Sequence, residues 1–321
     1  MHSDQRGPRY SIVVPVYRNE ATLPAVVERS AAFARRLDGP LEVVFVVDGS
    51  PDASILVLRR LLQDVTSFSA QLVALSRNFG ALSAVKAGLA TAEGEVIAVM
   101  AADLQEPFSL VEDLFAALDS GDHDVAIGVR TARDDPWKTR TSSNAYWRLY
   151  RRFVQPEMPE SGVDIFGCTR QVAGQLVQLD ESHTSLVGLL FWMGFRRIEV
   201  PYERQAREHG ESGWSLRRRV RYLLDSVFSF TDLPVLIITS VGIVGVSLSI
   251  AIGLGVLIAW ATASISVAGY TPLMLALVFT GSSVLLALGI IGSYVWRTYE
   301  NTKGRPSAIA MTHERFGPND G

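Results

Sequence analysis

The segment ADLQEP, residues 102–107, places two oxygen-bearing side chains, Asp103 and Gln105, on either side of a single leucine. This spacing allows a carboxylate and a carboxamide to meet one hard cation, and hard oxygen ligands favour Mg²⁺ or Mn²⁺. Such ions normally bridge phosphate groups and keep some water ligands. The segment therefore predicts a metal site and a phosphorylated substrate, while a turn or helix cap is the alternative for either residue taken singly.

A second polar segment, VDGSPD, places Asp48 and Asp52 around a Gly-Ser turn, where nucleoside hydroxyls or base edges can be hydrogen-bonded. Neither GxxxxGK[ST] nor GxGxxG occurs in a strand-to-helix turn, which argues against an ATPase and a nicotinamide enzyme. The five histidines lack the close pairing of zinc sites, and the one cysteine, Cys168, excludes an internal disulfide. We expect Cys168 to be a buried apolar side chain.

Five apolar, β-branched runs predict the strands that position these residues: YSIVVPVY (broken at Pro15), LEVVFVVD, AQLVALS, EVIAVMAA and HDVAIGVR. Helical stretches lie between the runs, so the strands should pair in parallel in an α/β fold. Ligands collect at the carboxyl ends of such strands. The polar residues that follow the five runs are Tyr17, Arg18, Asn19, Glu20, Asp48, Ser50, Asp52, Arg77, Asn78, Asp103, Gln105, Glu106, Arg130 and Arg133.

Hydropathy predicts a separate membrane part. Hydrophobic residues make up 48% of the 321, and no Asp, Glu, Lys or Arg lies between Asp232 and Arg297. Two apolar runs in this interval, about residues 234–260 and 272–296, are long enough for transmembrane helices. Arginines precede the first run and follow the second, so the positive-inside rule places both ends of the hairpin in the cytoplasm. A helical hairpin buried in a soluble core is the alternative.

These patterns predict five segments along the chain. Residues 1–8 form a polar tail without the apolar region of a secretory signal, and 9–212 form the α/β domain. Residues 213–232 combine arginines with large apolar side chains and predict an amphipathic helix at the membrane interface. The hairpin occupies 233–297, and a cytoplasmic tail occupies 298–321. A net charge of −3 gives no basic surface for nucleic acid.

The ordered motifs VVPVYRNEATLP, VDGSPD, LSRNFGALSAVKAGLATAEGE, ADLQEP and IGVRTARDD resemble those of family 2 glycosyltransferases with a GT-A fold. With REHGESGWSLRRR and the apolar hairpin, the chain is similar to membrane-anchored polyprenyl-phosphate glycosyltransferases, which include dolichyl-phosphate mannose synthases and bacterial undecaprenyl-phosphate sugar transferases. The resemblance implies that residues 9–212 are a GT-A catalytic domain with a Rossmann-like sheet. It also implies a multi-pass protein of the inner cell membrane, with the catalytic domain and both termini in the cytoplasm.

The resemblance assigns roles to particular residues of this chain. Asp103 and Gln105 match the metal-binding part of the family motif. Arg130 and Arg133 match arginines that meet phosphate, and Asp164 matches an acidic residue near the acceptor, so these three are expected to be catalytic together with Asp103. The expected nucleotide-sugar site comprises Pro15, Tyr17, Glu20, Asp48, Ser50, Arg77 and Asp103. The expected acceptor-phosphate site comprises Arg207, Ser212 and Arg217, of which Arg207 and Ser212 match a closing loop that also includes Gly210.

Three positions depart from the family pattern. Ala101 and Val47 stand where carboxylates are usual, and the arginine that commonly follows the Asp164 position is missing. The donor geometry and the metal affinity therefore depend on Asp103, Gln105 and the diphosphate itself.

The resulting prediction is an inverting enzyme that moves a hexose-like sugar from a nucleotide sugar, with uridine the commoner nucleotide, to a polyprenyl phosphate at the cytoplasmic membrane face. Mg²⁺ or Mn²⁺ is the expected cofactor. Two alternatives stay open: a glycosyltransferase with another lipid or glycan acceptor, and a catalytically weakened scaffold that binds nucleotide. The sugar and the oligomeric state, including a homo-oligomer, are left open as well.

Overall fold

The computed structural model of the chain describes residues 7–131, 151–152, 155–159, 163, 165–179, 185–203 and 270–317, with scattered positions between 227 and 254. Its strands are β1 (Tyr10–Val16), β2 (Leu41–Val47), β3 (Ser69–Leu75), β4 (Val96–Val99), β5 (Val125–Arg130), β6 (Phe166–Thr169), β7 (Arg197–Tyr202) and β8 (Ala310–Phe316). Its helices are α1 (Leu23–Ala34), α2 (Ser54–Leu62), α3 (Ala81–Thr91), α4 (Phe108–Asp119), α5 (Arg170–Gln178), α6 (Leu186–Trp192) and α7 (Tyr270–Thr302).

The described strands form one eight-stranded sheet in the order β7-β5-β6-β4-β1-β2-β3-β8. Strands β4, β1, β2 and β3 pair in parallel, as do β5 and β7, whereas β6 and β8 run antiparallel to their neighbours. All seven residues of β2 are buried, because helices cover both faces of the sheet at its centre. The predicted α/β class, a mostly parallel sheet flanked by helices, is confirmed.

Two apolar clusters, one on each face, hold the helices against the sheet. Helices α1, α2 and α4 pack on one face around Phe33, Phe45 and Phe115. Helices α3, α5 and α6 pack on the other face, in a cluster that includes Val44 and Cys168. The two clusters fix the carboxyl ends of the central strands, and therefore the loops that follow them.

The five predicted strands are β1 to β5, but the predicted break at Pro15 is wrong. Strand β1 continues through Pro15, which pairs with Val46 of β2, to Val16. The ladder between β1 and β4 ends at Val13 and Val99, and the Val13 carbonyl accepts from Met100 N at 3.0 Å. The backbone groups of successive residues in a strand face opposite neighbours, so the nitrogen of Pro15, like the backbone groups of Val13, faces the β4 side. The ladder with β4 has already ended there, so the proline removes no ladder hydrogen bond.

Strands β6, β7 and β8 were not predicted from the sequence. Strand β6 is only four residues long and inserts antiparallel between β4 and β5. Strand β8 lies within the segment predicted to be a tail and pairs antiparallel with β3 at the edge of the sheet. Neither strand shows the long β-branched run by which β1 to β3 are recognisable.

The predicted membrane part needs correction. Among the described residues, no helix combines the length and the apolar composition that a membrane crossing requires. This finding contradicts the predicted localisation as a multi-pass membrane protein, and the two-helix hairpin is not confirmed. The run 272–296 lies within α7. The run 234–260 is described only at scattered positions, and the segment 213–232 lies almost wholly outside the described residues.

The buried thiol of Cys168 gives a direct probe of this core. Burial in β6 raises the pKa of Cys168 to about 12. We therefore expect iodoacetamide at about pH 8 to leave the native protein unmodified and to label it fully in denaturant, because the thiolate is the reactive form. Mass spectrometry of the labelled protein at rising urea concentration measures this. Rapid labelling without denaturant would contradict the packing of β6.

Candidate active site

One edge of the sheet gathers most of the predicted site residues. The carboxyl ends of β1 to β5 and β7 lie at this edge, because β6 is antiparallel and sits between β4 and β5. The described predicted site residues at this edge are Pro15, Tyr17, Glu20, Asp48, Ser50, Arg77, Asp103, Gln105 and Arg130.

The carboxylate of Asp48 joins the loop after β2 to the loop after β3. Its Oδ1 accepts a hydrogen bond from Phe79 N at 2.7 Å, and its Oδ2 accepts one from Gly80 N at 2.9 Å. Asp48 is 3% exposed, and Gly80 is the residue that precedes helix α3. Both carboxylate oxygens are therefore engaged by backbone N–H groups at a helix N-terminus, where negative charge is favoured.

Gly49 allows these two loops to approach each other closely. It has a φ of +55°, and an added Cβ would lie 2.2 Å from the carbonyl carbon of Arg77 and 2.3 Å from Asn78 N. A side chain at this position would collide with backbone atoms that cannot move aside. The glycine of VDGSPD is thus required both by its left-handed conformation and by the neighbouring chain.

A second set of hydrogen bonds joins the loop after β1 to the same β2 loop. The Ser50 hydroxyl accepts from Arg18 N at 2.7 Å and donates to Asp52 Oδ1 at 2.6 Å. Glu20 N donates to Asp52 Oδ2 at 3.3 Å, and Glu20 Oε2 accepts from Ala53 N at 2.8 Å. Burial opposes ionisation of Asp52, but the hydrogen bonds from Ser50 and from backbone N–H groups outweigh it and lower the pKa of Asp52 below its ordinary value.

Tyr17 and Arg77 are among the side chains at this edge that are open to solvent. Tyr17 is 41% exposed, and the Arg18 guanidinium lies 5.5 Å from the centre of its ring. Arg77 is also exposed, and its guanidinium lies 3.9 Å from the centre of the Phe79 ring. The edge therefore presents an aromatic ring and cations to a ligand, while its carboxylates at Asp48 and Asp52 bind the protein's own backbone.

The loop after β4 holds Asp103 half-buried and Gln105 buried. Gln105 N donates to Asp103 Oδ1 at 3.4 Å. Leu104, between them, has a φ of +58°, a conformation that is unfavourable for a leucine. Its side chain is 2% exposed within the apolar cluster around Phe33, and this burial stabilises the strained turn.

Thr22 is a site residue that the sequence analysis missed. Its hydroxyl donates to the Ala102 carbonyl at 2.7 Å and so joins the start of α1 to the loop that carries Asp103. A threonine just before a Leu-Pro pair is typical of a helix cap, and Thr22 precedes α1 as such a pattern predicts. Its side chain, however, makes no cap hydrogen bond and bonds across the sheet edge instead.

Arg130 lies at the carboxyl end of β5, half-buried and paired in register with Tyr202 of β7. It is separated from β4 by the intervening strand β6. The Ile165 carbonyl, just before β6, accepts from Gly128 N at 3.0 Å and so also lies towards this edge. The predicted site residues outside the described part of the chain are Arg133, Asp164, Arg207, Ser212 and Arg217.

The donor set suits a hard divalent cation but supplies few protein ligands. Within the described ranges, no group of three or more His, Cys, Asp or Glu side chains is placed to hold a metal ion. Asp103 offers one carboxylate at the strand ends, and oxygen ligands of this kind suit Mg²⁺ or Mn²⁺ when phosphate and water complete the shell. The residues present therefore fit an ion that arrives with a phosphorylated ligand.

The two substituted acidic positions differ in their surroundings. Val47 is the last residue of β2, 3% exposed, and packs in the cluster around Phe45. Ala101 is half-buried in the loop after β4. A carboxylate at position 47 would enter the apolar core, whereas one at position 101 would lie at the sheet edge.

The comparisons with known proteins identify the family of this chain. Residues 11–182 match the family model described as "Glycosyl transferase family 2". The chain belongs to this family and is a glycosyltransferase.

Relatives match nearly the whole chain. An uncharacterized glycosyltransferase of Synechocystis is 31% identical over 92% of this chain and 92% of its own. The SfII prophage-derived bactoprenol glucosyl transferase of Shigella flexneri is 28% identical over 97% of this chain and 100% of its own. Among solved structures, a mannosyltransferase from Pyrobaculum calidifontis is 17% identical with a TM-score of 0.44, covering 92% of this chain and 85% of its own.

The environment of Val47 generates a stability prediction. We expect Val47→Asp to lower the free energy of unfolding by about 3 kcal/mol or more, because it buries a carboxylate among apolar side chains. Ala101→Asp is the matched control and should change stability by less than about 1 kcal/mol, since its site is only half-buried and lies at the sheet edge. Urea unfolding followed by circular dichroism measures both. Equal stability of the two variants would contradict the placement of Val47 in the core.

Proposed function

We propose that this glycosyltransferase moves a sugar from a nucleotide sugar to a polyprenyl phosphate. The observation that carries the proposal is the sheet edge at which the loops after β1, β2 and β3 are hydrogen-bonded together while Tyr17 and Arg77 stay exposed. The acceptor class is supported by the full-length match to a bactoprenol glucosyl transferase.

Donor binding is assigned to the joined loops. An exposed aromatic ring at Tyr17 suits the flat face of a nucleoside base, and the guanidinium of Arg77 suits a diphosphate. Asp48 and Ser50 act here mainly by holding the loops, because their oxygen atoms are already bonded within the protein. Glu20 has the same structural task through its hydrogen bond to Ala53 N.

Asp103 and Gln105 are the residues proposed to hold Mg²⁺ or Mn²⁺ together with the donor diphosphate. When bound, such an ion supplies positive charge that offsets the charge developing on the leaving diphosphate. Arg130, at the end of β5, is placed at the same edge to add a fixed positive charge.

The chemistry needs no strong base. A phosphomonoester has a second pKa of about 6, so a polyprenyl phosphate is largely ionised at neutral pH and is itself the nucleophile. Its phosphate oxygen attacks the anomeric carbon, the bond from that carbon to the donor phosphate breaks, and the nucleoside diphosphate leaves. Displacement from the opposite face inverts the anomeric configuration. Asp164 is assigned to orienting the sugar or acceptor, and Arg133, Arg207, Ser212 and Arg217 to binding phosphate, on the sequence alone.

The burial of Val47 weakens one alternative. A hydrophobic residue at this position forms part of the core, so its presence is not evidence of a decayed site. The scaffold hypothesis then rests on Ala101 alone, where the donor diphosphate can supply the missing oxygen ligand.

An acceptor assay tests the proposed function. We expect purified protein with Mg²⁺, undecaprenyl phosphate in detergent and a panel of labelled UDP- and GDP-sugars to give a labelled lipid with at least one donor. Undecaprenol without phosphate is the control and should give none, because it lacks the ionised nucleophile. Proton NMR of the product then reports its anomeric configuration. No lipid product across the whole panel would contradict the proposal.

The assigned role of Asp103 has a binding readout that is independent of turnover. We expect Asp103→Asn to weaken UDP binding in the presence of Mn²⁺ by about tenfold or more, which corresponds to about 1.4 kcal/mol, and to leave metal-free binding unchanged. Isothermal titration with and without Mn²⁺ measures this. Asp113→Asn, on the exposed face of α4, is the matched control. An undiminished effect of Mn²⁺ in Asp103→Asn would refute the assignment.

A further inference from the structure

We propose that the C-terminal strand β8 is a positioning element of the donor site, holding the loop Ser76–Gly80 in its binding conformation. This inference rests on the proposed function, because it assigns the donor to that loop. Three features of β8 support it: where the strand begins, what anchors it, and how little of the core it covers.

Strand β8 starts beside the first residue of the donor loop. It runs antiparallel to β3, from Phe316 opposite Ala70 to Ala310 opposite Leu75. The pairing does not stop at the end of β3, since Ser76 N donates to the Ile309 carbonyl at 2.9 Å. The C-terminal segment therefore reaches the edge where the strands end and binds the loop's own backbone.

The donor loop is thereby held at both ends. Ile309 binds it at Ser76, and the buried carboxylate of Asp48 binds it at Phe79 and Gly80. Arg77, the exposed residue assigned to the diphosphate, lies between these two attachments. Releasing either attachment would give the loop more conformations, and ligand binding would then have to restrict them.

Three side chains of β8 anchor it to different elements. Glu314 forms a bidentate pair with Arg59 of α2, with its Oε1 2.6 Å from Nη2 and its Oε2 3.0 Å from Nε. Arg315 Nη2 lies 2.6 Å from Glu93 Oε1, just after α3. His313 Nε2 lies 2.6 Å from Gln71 Oε1 of β3.

The His313 contact is the first of a row of side-chain hydrogen bonds that runs across neighbouring strands. Gln71 Nε2 donates to Glu42 Oε1 at 2.5 Å, and the Ser11 hydroxyl donates to Glu42 Oε2 at 2.7 Å. Four neighbouring strands, β8, β3, β2 and β1, are linked through this row. The position of β8 along β3 is therefore specified by side chains as well as by the backbone ladder.

β8 contributes little to the apolar core. Its residues alternate between exposed and half-buried, and none of them is buried. Phe316 is the β8 residue that packs against the cluster around Phe45. Loosening β8 should therefore leave the fold intact and act mainly on the loop that it borders.

The test uses the full-length protein and reverses the Arg59–Glu314 pair. We expect Glu314→Arg to raise the Kd for UDP, measured with Mg²⁺, by about fivefold or more, because it replaces attraction by repulsion at an anchor of β8. Hydrogen exchange at the Ser76 amide should become faster in the same variant. The double variant Arg59→Glu/Glu314→Arg should restore both values.

Asp124→Arg is the matched control. Asp124 and Arg196 form a similar bidentate pair, at 2.8 and 2.9 Å, at the amino ends of β5 and β7 and away from the donor loop. This variant should lower the melting temperature about as much as Glu314→Arg does, and it should leave the Kd for UDP unchanged. A general loss of stability would instead change UDP binding in both variants, and that result would overturn the inference.

Deletion of residues 310–321 is the second variant, and it should give the same faster exchange and weaker UDP binding as Glu314→Arg. An unchanged Kd for UDP in Glu314→Arg, or a Ser76 amide that exchanges as slowly in Glu314→Arg and in the deletion variant as in wild-type protein, would overturn the inference and leave the proposed function standing. Wild-type protein that binds neither UDP nor GDP would overturn the proposed function, and this inference with it.

Discussion

The sheet edge at which the donor is proposed to bind depends on one interaction, the hydrogen bonding of the Asp48 carboxylate to the backbone N–H groups of Phe79 and Gly80. A buried carboxylate is costly unless its oxygen atoms are satisfied, and here the N-terminal end of α3 satisfies them. The interaction holds the β3 loop against Gly49, where only a glycine fits. The hydrogen bonds of Ser50 and Asp52 then connect the β1 loop to the same point. The geometry of the edge is thus built largely from backbone groups that polar side chains keep in place.

Much of this arrangement could be predicted from the sequence, because the central strands carry strong local signals. The runs LEVVFVV and YSIVVPV are apolar at nearly every position, which is typical of parallel strands covered on both faces. Once their parallel pairing was inferred, the polar residues that follow them had to meet at one edge. The spacing did not reveal that Asp48 binds the protein's own backbone, since an Asp in a turn has the same sequence pattern in either role.

The remaining features depend on contacts between residues distant in the chain. β6 and β8 are strands because they pair with β4, β5 and β3, and their own sequences carry little strand signal. The segment AMTHERF alternates polar and apolar residues too weakly to predict an edge strand. The break expected at Pro15 was wrong because the effect of a proline depends on where the neighbouring ladder ends. Val47 is a second example, because the sequence does not show whether a position that lacks the family carboxylate lies in the apolar core, as Val47 does, or in a loop, as Ala101 does. The membrane prediction relied on the length, the apolar composition and the lack of charge of two runs, and no described helix meets the requirements of a membrane crossing.

The link between α7 and β8 has a geometric consequence. Helix α7 ends at Thr302, followed by Gly304 with a φ of +55°, and the chain enters β8 at Ala310. A connection of this length spans at most roughly 25 Å even when fully extended. The last turn of this 33-residue helix therefore lies within that distance of the start of β8, beside the loop Ser76–Gly80.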